Sequence, residues 1–266
     1  MRLKRSTVSV LLLAATSLAA GEYVFAGRLP SAVSLLSAAV APAKPADSTK
    51  LKVPFRVGEK LVYEVGYMSM PQAATAELKV MPRLDFYGHA SWHFQATAHS
   101  EDPLRYVLVL DDQFDSYASA STLVTRQYEL YLNEQGKKSA RKLSLNSRTP
   151  GSEMISAPAG TRDPLAMFYG LRSNDWKSRP EMLSPVYDGT HFYQMMARIA
   201  ARHDSVTVPA GTFDTSRISV SVSSRESATT MQFTLWLANN AARTPVEVDA
   251  DVPIGTVKGL LLRIEK

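Results

Sequence analysis

Five histidines, His89, His93, His99, His191 and His203, are the side chains of this sequence best suited to metal or proton chemistry. His89 and His93 share the parity of an alternating stretch. A strand rises ~3.4 Å per residue, so the two stand ~13 Å apart. One ion with ~2 Å bonds cannot hold both, and a solvated strand face is the better reading. Ser139-Ala140-Arg141-Lys142 matches a Ser-x-x-Lys pair by letter. On a strand, positions three apart face opposite sides, so the match is chance. The chain has no cysteine. That excludes a thiolate nucleophile, a Cys-ligated zinc, an Fe–S cluster, a disulfide framework and the lipidated cysteine of a bacterial lipoprotein. His-Glu-x-x-His, Gly-x-Ser-x-Gly and phosphate-cradling glycine loops do not occur. The expectation is no catalytic residue, no metal and no cofactor.

Carboxylates and aromatic rings leave more room. Glu247, Asp249 and Asp251 share one face of a strand. Two carboxylates suffice for glycoside hydrolysis, but basic side chains on a partner strand would make this stripe an ordinary solvated face. A calcium site would need a loop that supplies six to eight oxygens, and none is evident. Trp236 shares a face with Gln232 and Thr234, opposite Phe233 and Leu235. A tryptophan of that parity either lines a second buried layer or stands in a binding groove. Arg172, Tyr187, Asp188 and Tyr193 could supply polar handles beside it if the sheet closes. These five are the candidate ligand-binding residues. The packing alternative has Trp236 plugging one barrel end under a short helix.

The elements that must position them are mostly strands. Ala90, Trp92, Phe94, Ala96 and Ala98 alternate with Ser91, His93, Gln95, Thr97 and His99, the period of a half-buried strand. Leu61 to Tyr67, Arg217 to Ser223, Met231 to Leu237 and Val246 to Val252 repeat it. Matching apolar faces sets Val222 opposite Met231, Val220 opposite Phe233 and Ile218 opposite Leu235, around a turn at Arg225-Glu226-Ser227-Ala228. A three-residue loop at Gly255 would set Ala250 opposite Leu260, Val248 opposite Leu262 and Glu247 opposite Arg263. Ten to thirteen strands with one wet face predict a mainly all-β fold. It is a large curled antiparallel sheet, or a closed or half-open β-barrel. Asp163-Pro164 suits an N-cap and first helical residue and predicts one short helix near 163–171. Residues 191–203 fit helix and strand periods equally well.

Several short motifs occur in order: Gly58-Glu59-Lys60-Leu61-Val62-Tyr63, Asp163-Pro164-Leu165, Tyr169-Gly170-Leu171-Arg172, Val208-Pro209-Ala210-Gly211-Thr212-Phe213, Leu235-Trp236-Leu237 and Thr244-Pro245-Val246, before a final strand 259–264. In this order they resemble the domain of unknown function 3108 family of exported bacterial envelope proteins, over residues 54–266. The resemblance implies a largely antiparallel β fold with 190–203 extended. It brings no activity and no catalytic residue. Met70-Pro71-Gln72-Ala73 departs from the glycine expected after the first strand, which leaves that hairpin's turn open.

Arg2, Lys4 and Arg5, then the 13 apolar and small residues Val8 to Ala20, then Val24-Phe25-Ala26 read as a secretory signal peptide, residues 1–26. The alternative is a retained inner-membrane anchor through 8–26. The Pro/Ala-rich stretch within 27–53 reads as a flexible linker, and 54–266 as a single β domain. Of 266 residues, 45% are hydrophobic and 21% charged, a globular balance. The net charge of +5 falls to +3 without the leader. Its basic residues are not clustered, so a nucleic-acid partner is not expected. The reading is a periplasmic protein of a Gram-negative envelope. It binds or carries an apolar or amphipathic ligand, lipid or glycan, without catalysis. One alternative is an envelope hydrolase using carboxylates such as Asp188 and the acidic stripe. Another is a structural or assembly factor that pairs through a sheet edge.

Overall fold

A computed structural model describes residues 51–224, 230–252 and 255–265. The expected signal peptide, nearly all of the expected linker and the turn expected at Arg225-Glu226-Ser227-Ala228 lie outside the described residues. Thirteen strands form one sheet: β1 (Lys60–Tyr67), β2 (Met70–Asp85), β3 (Ala90–Ser100), β4 (Asp111–Ser119), β5 (Thr125–Glu134), β6 (Lys137–Leu145), β7 (Glu153–Ile155), β8 (Glu181–Tyr187), β9 (Phe192–Val208), β10 (Gly211–Ser224), β11 (Thr230–Ala238), β12 (Pro245–Val252) and β13 (Gly255–Glu265). Among the described residues one α-helix, α1 (Pro164–Ser173), interrupts them after β7. The spatial order is β7-β6-β5-β4-β3-β2-β1-β13-β12-β11-β10-β9-β8. First and last strands pair in the middle, so the edges are β7 and β8. All pairs are antiparallel except β6 with β7.

The sheet curls until its edges approach, but no ladder closes it. Residues 161–163 span the gap instead. Thr125 N–H donates to the Thr161 carbonyl at 3.2 Å on the β5 side. Arg162 N–H donates to Pro185 O at 3.0 Å, and Tyr187 N–H to Arg162 O at 2.9 Å, on the β8 side. Lower in the seam, Arg141 Nη1 donates to Gly189 O at 2.7 Å. The result is barrel-like without being a barrel.

The helix begins where Asp163-Pro164 predicts. Asp163 Oδ1 accepts from the Leu165 and Ala166 amides at 2.8 and 3.0 Å. Pro164 takes the first turn, where its missing N–H costs nothing. The helix stops at Asn174, whose backbone turns extended while its N–H still reaches Gly170 O at 3.0 Å. Eight of its ten residues are buried, because it lies inside the curl. Leu165, Ala166 and Tyr169 pack with Leu61, Tyr63, Phe94, Phe114, Tyr128 and Leu143. Met167 and Leu171 pack with Val186, Met195, Ile218, Val220, Phe233 and Leu235. The Tyr169 ring stacks on Phe94 at 3.8 Å and meets Phe55 edge-on at 4.9 Å. Each such large apolar side chain contributes ~1.5–3 kcal/mol by burial, so the helix is the core's centre rather than its cover.

Two hairpins test how far an alternating pattern sets register. In β10–β11 the pairs are Val222 with Met231, Val220 with Phe233 and Ile218 with Leu235, as the apolar faces predict. In β12–β13 the expectation is corrected: Ala250 faces Val257, Val248 faces Gly259 and Glu247 faces Leu260. Val252 faces Gly255, so the loop is two residues, not three. The odd shift turns Val257 and Leu261 inward, both buried, and leaves Ile264 43% exposed. The physical reason is Lys258. The expected register would point it into the core, an uncompensated charge. The observed one points it outward, 2.9 Å from Glu247 and 3.1 Å from Asp249. Thus a basic residue does neutralise the acidic stripe, but it is Lys258, while Arg263 pairs with Glu265. Burial pushes the Asp249 carboxyl pKa up, and Lys258 pulls it back only in part. Lys258 is half-exposed, so Lys258→Ala is expected to cost under ~1 kcal/mol, read as a small shift in a urea melt. A cost of several kcal/mol would show that the stripe is a buried site.

Residues 192–208 are extended, which resolves the ambiguous period at 191–203 in favour of a strand. The β9–β10 hairpin is long enough to fold back over the sheet. Its tip donates Ala210 N–H to Leu261 O at 3.0 Å, and β9 touches β12 and β13, which are not its ladder partners.

Candidate functional site

The five residues singled out in the sequence do not form one site. Arg172 is fully buried. Its Nη1 and Nη2 meet the two oxygens of Glu59 at 2.7 and 3.2 Å. Nη2 also donates to Ala242 O at 3.0 Å and Nε to Arg243 O at 3.3 Å. The guanidinium ties the start of β1, the end of α1 and the β11–β12 loop together, and no ligand can reach it. Trp236 is half-buried on the outer face, opposite Arg217 and Glu247 in register. It packs against the apolar cluster to which Val206 and Val208 of the folded-back hairpin contribute. Its ring is half-buried against that cluster.

Tyr187, Asp188 and Tyr193 do meet, at the β8–β9 turn. Tyr187 stacks on Phe192 at 4.5 Å. Asp188 Oδ1 accepts the Thr190 and His191 amides at 2.7 Å each, and the Tyr193 phenol adjoins its carboxylate. Burial pushes the Asp188 carboxyl pKa up. The seam is shut over this turn: a Cβ on Gly189 would stand 3.2 Å from Leu130. These residues pack into the seam between the sheet's edges.

Two carboxylates converge elsewhere. Asp115 and Glu129 sit directly opposite on β4 and β5, outer face, where like charges oppose each other unfavourably. Asp115 accepts from His93 at 2.6 Å, Gln95 at 3.1 Å and Gln113 at 2.6 Å. Glu129 accepts from Gln127 at 2.5 Å and from the Tyr131 hydroxyl. Burial alone would raise the Asp115 pKa, but His93, Gln113 and Gln95 hold it below the usual carboxylate range. Glycoside hydrolysis uses one protonated and one ionised carboxyl; the partners of Asp115 favour its ionised form. His93 is therefore not a solvated face residue. It is a half-buried hydrogen-bond partner of Asp115, stacked on Tyr117 at 4.6 Å.

An open cleft of about 620 Å³ lies where α1, the β9–β10 pair and the β11–β12 loop meet. Its floor is Trp176, Leu237 and Ala238; Lys177, Arg202, His203 and Arg243 line its walls. Local chemistry holds them in place. Trp176 Nε1 donates to Leu171 O at 3.0 Å, which locks the ring against the end of α1. Arg243, at a positive φ of 43°, sends Nη1 to Asn174 O at 2.5 Å and Arg172 O at 3.3 Å. Asn239 bridges Arg202 O at 2.8 Å and Asp214 at 3.0 Å. His203 Nδ1 lies 3.1 Å from the same carboxylate. The Asn239 amide, with His203, holds the Asp214 pKa below its usual range. The arrangement offers donors and an apolar floor, which suits binding. Sequence reasoning missed it because its charges come from three separate segments, without local spacing. The Asn239-Asn240 pair is a local turn cue that sequence reasoning could have used.

Among the described residues, no group of three or more His, Asp or Glu side chains could hold a metal ion. No helix among them is long and apolar enough to cross a membrane. The family model described as "Protein of unknown function (DUF3108)" matches residues 62–262. Among solved structures, a β-barrel-like protein of domain of unknown function DUF1849 from Brucella abortus is similar, with TM-score 0.49 and 8% identity. The match covers 78% of this chain and 96% of that one. A protein with a YmcC-like fold from Bacteroides fragilis has TM-score 0.38 and 11% identity, covering 80% and 98%. A hypothetical protein, CT021, from Chlamydia trachomatis has TM-score 0.38 and 9% identity, covering 79% and 87%. A comparison with curated proteins finds no match.

Proposed function

The chain belongs to the DUF3108 family of proteins of unknown function, and from that premise we propose that it is an exported, non-catalytic binding protein of the bacterial envelope. One β domain, 54–266, follows a cleaved leader, 1–26, and a flexible linker, 27–53, into the periplasm. Its ligand is amphipathic, a lipid or glycan derivative, and sits outside the plugged barrel in the cleft floored by Trp176. The observation that carries this reading is α1 itself. Because eight of its residues are buried inside the curl, a ligand is better accommodated at the rim than within the sheet. The 620 Å³ cleft there is within the ~300–1,000 Å³ of small-molecule sites. A role through edge pairing draws less support, since β7 is only three residues long and Arg162 bonds along β8.

Native mass spectrometry of the protein purified from its own envelope tests the reading. The expected result is a chain without residues 1–26 that carries a lipid or glycan adduct. Ser216→Trp, which fills the cleft from a half-buried position, should lose the adduct while keeping its melting temperature. An adduct that survives in Ser216→Trp would place the ligand elsewhere, and a bare mature chain would overturn the carrier role.

A further inference from the structure

Resting on that reading, we infer that the group held in the cleft is an anion of the phosphate or carboxylate class. Three permanent cations, Lys177, Arg202 and Arg243, line the cleft against one carboxylate, Asp175. That carboxylate is already committed: Asp175 accepts the Ser178 hydroxyl at 2.5 Å and the Lys177 amide at 3.2 Å. Asp214, exposed beside the cleft, is likewise engaged by Asn239 and His203. The cations are not so committed. Arg202 makes one long contact, Nη1 to Trp176 O at 3.5 Å, and a guanidinium has five N–H donors. Lys177 has no ion pair among the described residues. Arg243 spends Nη1 on two carbonyls, which fixes its position; it makes no ion pair among the described residues, and its field reaches Asp175. The buried guanidinium behind it, Arg172, is balanced by Glu59 and adds nothing. The walls thus present unspent, positively charged donors over an apolar floor. Arginine favours oxyanions because its fork matches their geometry. The apolar floor suits the first carbons of a chain attached to such a head.

Isothermal titration calorimetry at low salt, with the mature chain, tests this. The probes are n-dodecyl phosphate, inorganic phosphate and glucuronate, with neutral dodecyl maltoside as the uncharged control. At least one anion should bind at millimolar concentration or tighter, and dodecyl maltoside should not. Lys177→Glu/Arg202→Glu should weaken the anion at least tenfold, as loss of charged hydrogen bonds implies. Both residues are exposed, so the variant should fold, and Lys177→Gln/Arg202→Gln provides a milder second case. Binding of dodecyl phosphate alone would assign the anion to a lipid head. Equal binding of inorganic phosphate would assign it to charge alone, and glucuronate to an acidic glycan. No anion binding, unaltered binding in both double variants, or equal binding of dodecyl maltoside would overturn the inference. A neutral adduct in native mass spectrometry would overturn it too, while leaving the binding role standing.

Discussion

Arg172→Ala is expected to lower the unfolding free energy by ~3–5 kcal/mol, the cost of stranding one partner of a buried ion pair. Glu59 is 9% exposed, and its two oxygens take two guanidinium nitrogens. Without Arg172 that carboxylate stays buried with no cation. The carbonyls of Ala242 and Arg243 lose their donors as well. The phenyl and phenol rings of Phe55 and Tyr169, each 5.5 Å from the guanidinium, lose a packed neighbour. Urea melts followed by circular dichroism would measure the change. Glu59→Leu/Arg172→Met should recover most of the loss, because an apolar pair of similar size removes both charges together. If Arg172→Ala costs under ~1 kcal/mol, the pair is not the pin described here, and Arg172 returns as a candidate for another role.

Asp163→Ala should be nearly as damaging, at ~3–5 kcal/mol. Loss of a helix cap costs ~0.5–2 kcal/mol, and each buried donor left unpaired adds ~1–3 kcal/mol. Asp163 Oδ2 accepts the Ser116 and Thr125 hydroxyls at 2.5 and 2.6 Å, while Oδ1 caps the helix. Four donors therefore depend on one fully buried carboxyl. Asp163→Asn keeps the acceptor toward the helix amides and should cost less. The pair also has a pH signature. Burial pushes the Asp163 pKa up from 3.8, and its hydrogen bonds only partly offset that. A carboxyl raised in the fold gives stability that is full below 3.8 and lost as pH rises through the folded value. Wild type should thus lose stability relative to Asp163→Asn from acid toward neutral pH. A flat difference between the two would show that the carboxyl is not desolvated.

Period-two alternation and the Asp163-Pro164 signature were enough to read a mainly β fold with one helix, because strand and cap preferences are local. Register was readable only where one solution exists. In β10–β11 serines alternate strictly with Ile218, Val220 and Val222, and any odd slip would bury them. In β13, Leu260, Leu261 and Leu262 stand in a row, so apolar pattern accepts either face. The burial cost of Lys258 then decides, and that depends on which acids face it across the ladder. Likewise Glu59 and Arg172 could be seen as motif residues, yet a pair 113 positions apart has no sequence spacing to announce it. Trp236 showed the wrong parity in the sequence; only the folded sheet decided that it packs half-buried against the core cluster. The cleft is the extreme case. Lys177, Arg202 and Arg243 each look like solvated surface charges in the sequence. They become a site only because the curl brings three segments to one rim, where their fields add.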